Sequence, residues 1–139
     1  LILDAQQALA DERNVSITNH IDKEISVKTD KDSFTTIFSN LINNSIKYSK
    51  DKGKVEIRAI DKKDALILSI SDDGQGIEKQ NLNKVFNRFY RTPKARANTK
   101  GTGLGLALVK QLASRINAEV AVESKIGKGA TFFVTFNTK

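Results

Sequence analysis

The sequence predicts an α+β sandwich, a mixed and mostly antiparallel sheet covered on one face by about three helices. Three observations predict it. Residues 55–59 and 66–70, and again 119–123 and 131–136, alternate apolar and polar side chains around short polar connections, as hairpins do. Residues 34–48 and 104–116 repeat apolar side chains at helical spacing. The chain has 139 residues, the size of one domain, with 39% hydrophobic and 28% charged residues, ordinary for a globular protein able to bury about two-thirds of its surface.

Taken in order, residues 1–13 read as a helix with Leu1, Ile2, Ala5, Ala8 and Leu9 apolar. Residues 15–21 alternate and read as a strand. His20 falls at a polar position in it and reads as an exposed strand histidine, with no acidic neighbour or helix context to equip it for chemistry. Residues 24–29 read as a second short strand. Asp30 or Asp32 can cap the helix that follows, which runs to about Tyr48. Residues 49–54 are polar with Gly53, hence a turn. The first hairpin follows, and residues 71–77 break its pattern. A short helix is expected near 79–85. Residues 92–100 hold the single Pro and no aliphatic side chain larger than Ala, which predicts a mobile loop. Gly101, Gly103 and Gly105 open a helix with Leu104, Leu108, Val109, Leu112 and Ile116 on one face. The second hairpin, turned at Gly127 and Gly129, closes a total of three helices and about six strands.

The helix over 34–48 has an odd composition. Phe34, Phe38, Leu41, Ile42 and Ser45 with Ile46 fall on one side at ~100° per residue. Asn40, Asn44 and Lys47 fall opposite, within roughly 60°. Asn is a poor helix former, yet positions 40, 43 and 44 all carry it. Such a face offers carbonyl oxygens and amide donors in a row, with a cation one turn on.

Composition excludes several functions. Without Cys there is no disulfide framework or thiolate zinc site, and one His rules out a multi-His metal cluster. No apolar run approaches the ~20 residues of a membrane span, and no secretory signal is visible. The chain begins at Leu1 and has no Met, so it is expected to be a piece of a longer protein. The net charge of +7 invites a nucleic-acid reading. Its basic residues are scattered, however, and no recognition motif is visible. The one local cluster, Arg88, Arg91, Lys94, Arg96 and Lys100, lies in a loop beside glycines and would equally suit a polyphosphate.

Of the eight glycines, seven fall at 74/76, 101/103/105 and 127/129. Turn punctuation serves for Gly127 and Gly129. Three glycines alternating into a helix fit better a backbone that approaches an anion at a helix start. The spacing is neither a Walker loop nor a dinucleotide fingerprint, and the eukaryotic-type kinase motifs are missing. Asp72 ends a buried-type strand. It reads either as a solvated turn residue or as a carboxylate accepting from an exocyclic amine, with Gly74 and Gly76 letting a flat base slide past. Magnesium, which wants oxygen ligands and keeps waters, would need only one Asn carbonyl beside phosphates.

In order and spacing these stretches resemble the ATP-binding catalytic domain of bacterial sensor histidine kinases, in the GHKL superfamily shared with type II topoisomerase, mismatch-repair and chaperone ATPases. The resemblance runs from about Val15 to Phe136. The asparagine box matches residues 40–48, the first glycine box 72–77, the phenylalanine box 86–91, the second glycine box 101–109 and a weaker last motif 127–132. It implies the Bergerat ATP-binding fold over residues 14–139, with a lid at about 92–100 and residues 1–13 as a connector helix from an upstream domain.

By that resemblance Asn44 is the expected magnesium ligand and Asn40 its phosphate-side companion. Lys47 would contact phosphate, Tyr48 would pack on adenine, and Asp72 would bond the adenine amine. Arg88 and Arg91 would serve the γ-phosphate and the lid, with Asn40, Lys47 and Arg88 as the catalytic set. Gly74, Gly76, Ile77, Tyr90, Lys100, Gly101, Thr102, Gly103, Leu104, Gly105, Leu106 and Thr131 complete the implied ATP contacts. The implied activity is protein-histidine kinase. ATP and Mg²⁺ are the implied ligands, and the γ-phosphoryl group goes to a histidine on a separate helical-hairpin domain. A response regulator would follow as partner, and no nucleic acid. The domain is expected in the cytoplasm and monomeric as a fragment, its parent a homodimer in the bacterial cell membrane. No phosphoacceptor motif occurs here, and Ser45 stands where the family commonly has Ala. Asn40 stands where related hydrolases and anti-sigma serine kinases usually carry a glutamate base, and an amide cannot take a proton at neutral pH. A non-catalytic nucleotide-sensing or interaction module, and a stand-alone ATPase or anti-sigma serine kinase, are the competing readings.

Overall fold

A computed structural model describes residues 4–22, 24–87 and 105–138. Its elements are α1 (Asp4–Glu12), β1 (Ser16–Asn19), α2 (Lys31–Tyr48), β2 (Lys54–Lys62), β3 (Ala65–Asp72), α3 (Gly105–Arg115), β4 (Ala118–Ser124) and β5 (Ala130–Asn137). The five strands form one sheet in the order β1-β2-β3-β5-β4. β1 is parallel to β2 and every other pairing is antiparallel. The mixed, mostly antiparallel sheet is therefore as the sequence predicts.

α2 begins where Asp30 accepts the Ser33 N–H at 2.9 Å, so the cap is Asp30 rather than Asp32. Its buried stripe is Ile37, Phe38, Leu41, Ile42, Ser45 and Ile46. That stripe packs on alternate residues of β3 (Leu66, Leu68, Ile70) and β5 (Phe132, Val134, Phe136), which share one face of the sheet. Phe34 bridges the layers, its ring 4.5 Å from Phe38 and 5.9 Å from Phe136. The same alternation puts Asp72 next in line after Ile70, so the core stripe of β3 ends in a carboxylate.

Three expectations are corrected. Residues 24–29 form no strand, which leaves five strands among the described residues where about six are expected. The Asp22 carboxylate takes the Glu24 N–H at 3.0 Å and the Asp22 carbonyl takes the Ile25 N–H at 3.1 Å. This local turn removes the amides a ladder would need. The helix near 79–85 is a single 3₁₀ turn, Lys79–Asn81, continued by further i−3 bonds from Lys84 and Asn87. Asn at 81 and 83 is a poor propagator of an α-helix. On α3, Val109 and Ala113 are buried while Leu108 is 39% exposed. Leu108 lies ~100° round the helix from Val109, off the stripe that faces α2 and β4.

Candidate functional site

Asp72 is 8% exposed at the open end of the sheet. Its Oδ1 accepts the Gly74 N–H at 2.9 Å, and the Ala130 N–H also donates to the carboxylate. Burial nonetheless pushes its pKa from 3.8 up to about 6, and the neighbouring charge of Asp73 adds to the rise. A carboxylate offers about four acceptor positions, so room remains for a further donor.

The glycines around Asp72 also serve the packing of the protein on itself. A Cβ on Gly74 would lie 1.8 Å from the Tyr48 carbonyl oxygen, and one on Gly76 2.2 Å from that of Lys125. One on Gly129 would lie 1.9 Å from the Asp72 carbonyl oxygen, and Gly129 has φ +83°. These glycines let protein backbone approach protein backbone. They join the end of α2, the 73–77 loop and the β4–β5 turn. Ser124 completes the brace, accepting the Ile77 N–H at 2.7 Å and donating to the Gly129 carbonyl at 2.6 Å. Ser124 and the Ala130 N–H escaped sequence reasoning, which puts Gly129 in a turn but not beside Asp72. Their signal is the pairing of Ser71 with Thr131, which sets Gly129 beside Asp72 and is invisible until the register is known.

Along α2, Asn40 donates from Nδ2 to the Thr36 carbonyl at 2.8 Å. Its Oδ1 then faces the start of α3, where a Cβ on Gly105 would sit 3.1 Å away. Asn44 and Tyr48 follow on the same side, both half-buried, and Lys47 is exposed. Gly105 thus meets Asn40 of the asparagine box, and Leu106 packs on the core beneath. Phe86 anchors the approach to the phenylalanine box, edge-on to Phe132 at 6.1 Å. Arg88, Tyr90, Arg91, Lys100, Gly101, Thr102, Gly103, Leu104 and the expected lid at 92–100 lie outside the described residues.

Thr131 does not join the group. Its hydroxyl hydrogen-bonds that of Ser71 at 2.8 Å, on the sheet face away from the helices. Alternation puts Asp72 on the helix side. His20 does have an acidic neighbour, since its Nε2 lies 3.3 Å from Glu56, which also pairs with Arg58 and with Lys54 at 3.8 Å. The hydrogen bond from Arg58 is foremost in holding the Glu56 carboxyl below its usual range. A cavity of about 490 Å³ opens at the other end of β3, against Leu66, Leu68 and Phe34. Among the described residues no three His, Cys, Asp or Glu cluster to hold a metal, and no helix is long and apolar enough to cross a membrane. The donor set for a cation beside α2 is therefore neutral amide oxygen, which suits magnesium only when phosphates share its coordination.

Residues 29–139 match the family described as histidine kinase-, DNA gyrase B-, and HSP90-like ATPase. The chain is 36% identical over 142 residues to the sensor histidine kinase WalK of Bacillus subtilis (strain 168), covering 100% of this chain and 23% of that protein. It is 38% identical over 131 residues to the phosphate regulon sensor protein PhoR of Pseudomonas aeruginosa, covering 94% of this chain and 30% of that one. The chain thus spans less than a third of the length of these relatives. The solved structure of a mycobacterial sensor histidine kinase, MprB, superposes with a TM-score of 0.79 at 22% identity over 98% of this chain and 91% of that one, which shows a shared fold. With the asparagine helix, the buried Asp72 and the glycine-braced loops in family order, the chain belongs to the histidine kinase-, DNA gyrase B- and HSP90-like ATPase family, as an ATP-binding catalytic domain of the sensor histidine kinase type.

Proposed function

We propose that this domain holds Mg²⁺-ATP and donates its γ-phosphoryl group to a histidine on a helical-hairpin domain of the same parent protein. The observation that carries the reading is Asn40, an uncharged amide whose oxygen faces Gly105 at the start of α3. A carboxylate there would draw a proton from water. An amide cannot, so the site can polarise ATP without spending it on hydrolysis. The base for transfer then comes with the acceptor histidine.

In this reading Asp72 accepts the adenine amine and Tyr48 lies against the base. Lys47 meets phosphate as a point charge. Asn44 would hold Mg²⁺ through its amide oxygen, and the ion would neutralise phosphate charge. Ile77, Gly74 and Gly76 shape the adenine end, and Gly105 with Leu106 opens the helix toward the phosphates. Arg88, Tyr90, Arg91, Lys100 and the 101–104 stretch complete the phosphate side, with residues 92–100 closing as a lid. Thr131 is left out, since its hydroxyl bonds Ser71 on the sheet face opposite Asp72. Residues 1–13 are the connector from the upstream domain, and α1 docks through buried Gln6 and Ala10. The parent is a membrane sensor with this domain in the cytoplasm and a response regulator downstream.

A fusion carrying a relative's helical hairpin ahead of Leu1 tests this with γ-³²P-ATP. Acid-labile label on the hairpin histidine, and none on the 139-residue chain alone, is the expected result. Label on His20, or phosphate release from the chain with no label on the fusion, would count against it.

A further inference from the structure

Arg13 follows α1, in the turn before β1. Its Nε donates to the Ile46 carbonyl at 3.2 Å and its Nη2 to the Lys47 carbonyl at 3.0 Å. Both carbonyls belong to the last turn of α2, whose oxygens have no partner within the helix. A guanidinium suits that place, with a planar fork of donors and a charge opposite to the helix C-terminal dipole. The Ser49 hydroxyl adds a bond to Ile46 at 3.0 Å. The next carbonyl, of Tyr48, is pressed against Gly74. The turn is thus gripped by Arg13 on one side and by the Asp72 loop on the other.

That turn carries Lys47 and Tyr48. We infer that Arg13 is a positioning residue for nucleotide binding: it fixes the final turn of α2 so that the Lys47 ammonium and the Tyr48 ring stand where phosphate and base arrive. The inference rests on the nucleotide reading proposed above. It also gives the connector a role. α1 has nine residues, too few to hold a helix alone, and it is seated by buried Ala10, whose carbonyl takes the Val15 N–H at 2.8 Å. Arg13 therefore ties the chain entering from upstream directly to the turn that bears Lys47, without passing through the sheet.

A double-mutant cycle tests this, with the dissociation constant for Mg²⁺-ATP measured calorimetrically on the full chain at a temperature where circular dichroism shows every variant folded. Arg13→Ala should weaken binding by about 5- to 30-fold, and Arg13→Lys, able to reach one carbonyl, should recover part of it. Lys47→Ala should weaken binding on its own. Added to Lys47→Ala, Arg13→Ala should then cost much less than it does in the wild type, because its effect runs through that turn. Arg13→Ala with a lowered melting temperature but an affinity within twofold of wild type would make Arg13 a helix cap only, and would overturn the inference while leaving the nucleotide reading intact. Full additivity with Lys47→Ala would also overturn it. Lys47→Ala without effect, or wild type that does not bind Mg²⁺-ATP, would remove the nucleotide reading and this inference together.

Discussion

The proposed bond from the adenine amine to Asp72 would link nucleotide recognition to pH in a way that can be measured. Burial raises its carboxyl to about 6 in the free protein. The adenine amine is a donor, so it needs the ionised form. Protons therefore compete with nucleotide: relative to its plateau, affinity should fall only slightly at pH 7, about twofold at pH 6 and about tenfold at pH 5. The phosphates titrate in the same range, and Asp72→Asn provides the control because phosphate effects are common to both proteins. The variant should bind adenine nucleotide weakly, and the ratio of wild-type to variant affinity should itself decline below pH 6. The same burial has an opposite signature in stability. A carboxyl raised from 3.8 to about 6 costs the folded state increasingly as pH climbs between those values, and above 6 the cost levels off at about 3 kcal/mol. At pH 7.5 Asp72→Asn should thus melt higher than wild type while binding ATP worse, and the melting difference should shrink toward pH 4. Calorimetry and thermal melts from pH 5 to 8 read both. Parallel affinity profiles for the two proteins would refute the assignment of Asp72 to the adenine amine.

Gly74→Ala forces a Cβ against the Tyr48 carbonyl, a backbone atom that cannot swing away. It should cost about 1–3 kcal/mol in denaturant unfolding and weaken ATP binding as Tyr48 and Asp72 separate. Asn44→Ala should remove the magnesium dependence of ATP binding; a magnesium titration like that of wild type would dismiss Asn44 as the ligand. Ser45 is fully buried and its hydroxyl has no hydrogen-bond partner among the described residues, so Ser45→Ala should stabilise the domain by about 1 kcal/mol in chemical denaturation. Thr131→Val should leave nucleotide affinity within about twofold, because only its bond to Ser71 is lost; a tenfold loss would restore Thr131 to the site.

The sequence carried the strands and helices wherever one periodicity dominated. β2, β3, β4 and β5 contain the stretches that alternate, and α2 ends at Tyr48 as its apolar repeat suggests. It failed where a side chain captured nearby backbone, as Asp22 does, since such a bond competes with the ladder and leaves the apolar spacing of Ile25 and Val27 untouched. It also failed across strands. That Glu56 meets His20 follows from β1 pairing in parallel with β2, which alternation within either strand cannot reveal. The grouping of the candidate residues on α2 was legible because one helix orders them. A motif match names Thr131 but not the face it occupies, and the register puts its hydroxyl against Ser71.

The site forms where the core runs out. Leu66, Leu68 and Ile70 point into the helical layer, and the next residue of that stripe is Asp72. On α2 the buried Leu41 and Ser45 are flanked by Asn40, Asn44 and Tyr48. At this end both layers exchange hydrocarbon for amide, carboxylate and phenol, so a base can complete the packing while polar atoms read its edge. The glycines make that exchange possible by closing the surrounding backbone to distances no Cβ allows, from Tyr48 to Gly74 and from Asp72 to Gly129. A carboxylate seated this way is desolvated before nucleotide arrives. The raised pKa of Asp72 therefore follows from the same packing that brings Tyr48 beside it, and a substitution that loosens Gly74 or Gly129 should weaken binding.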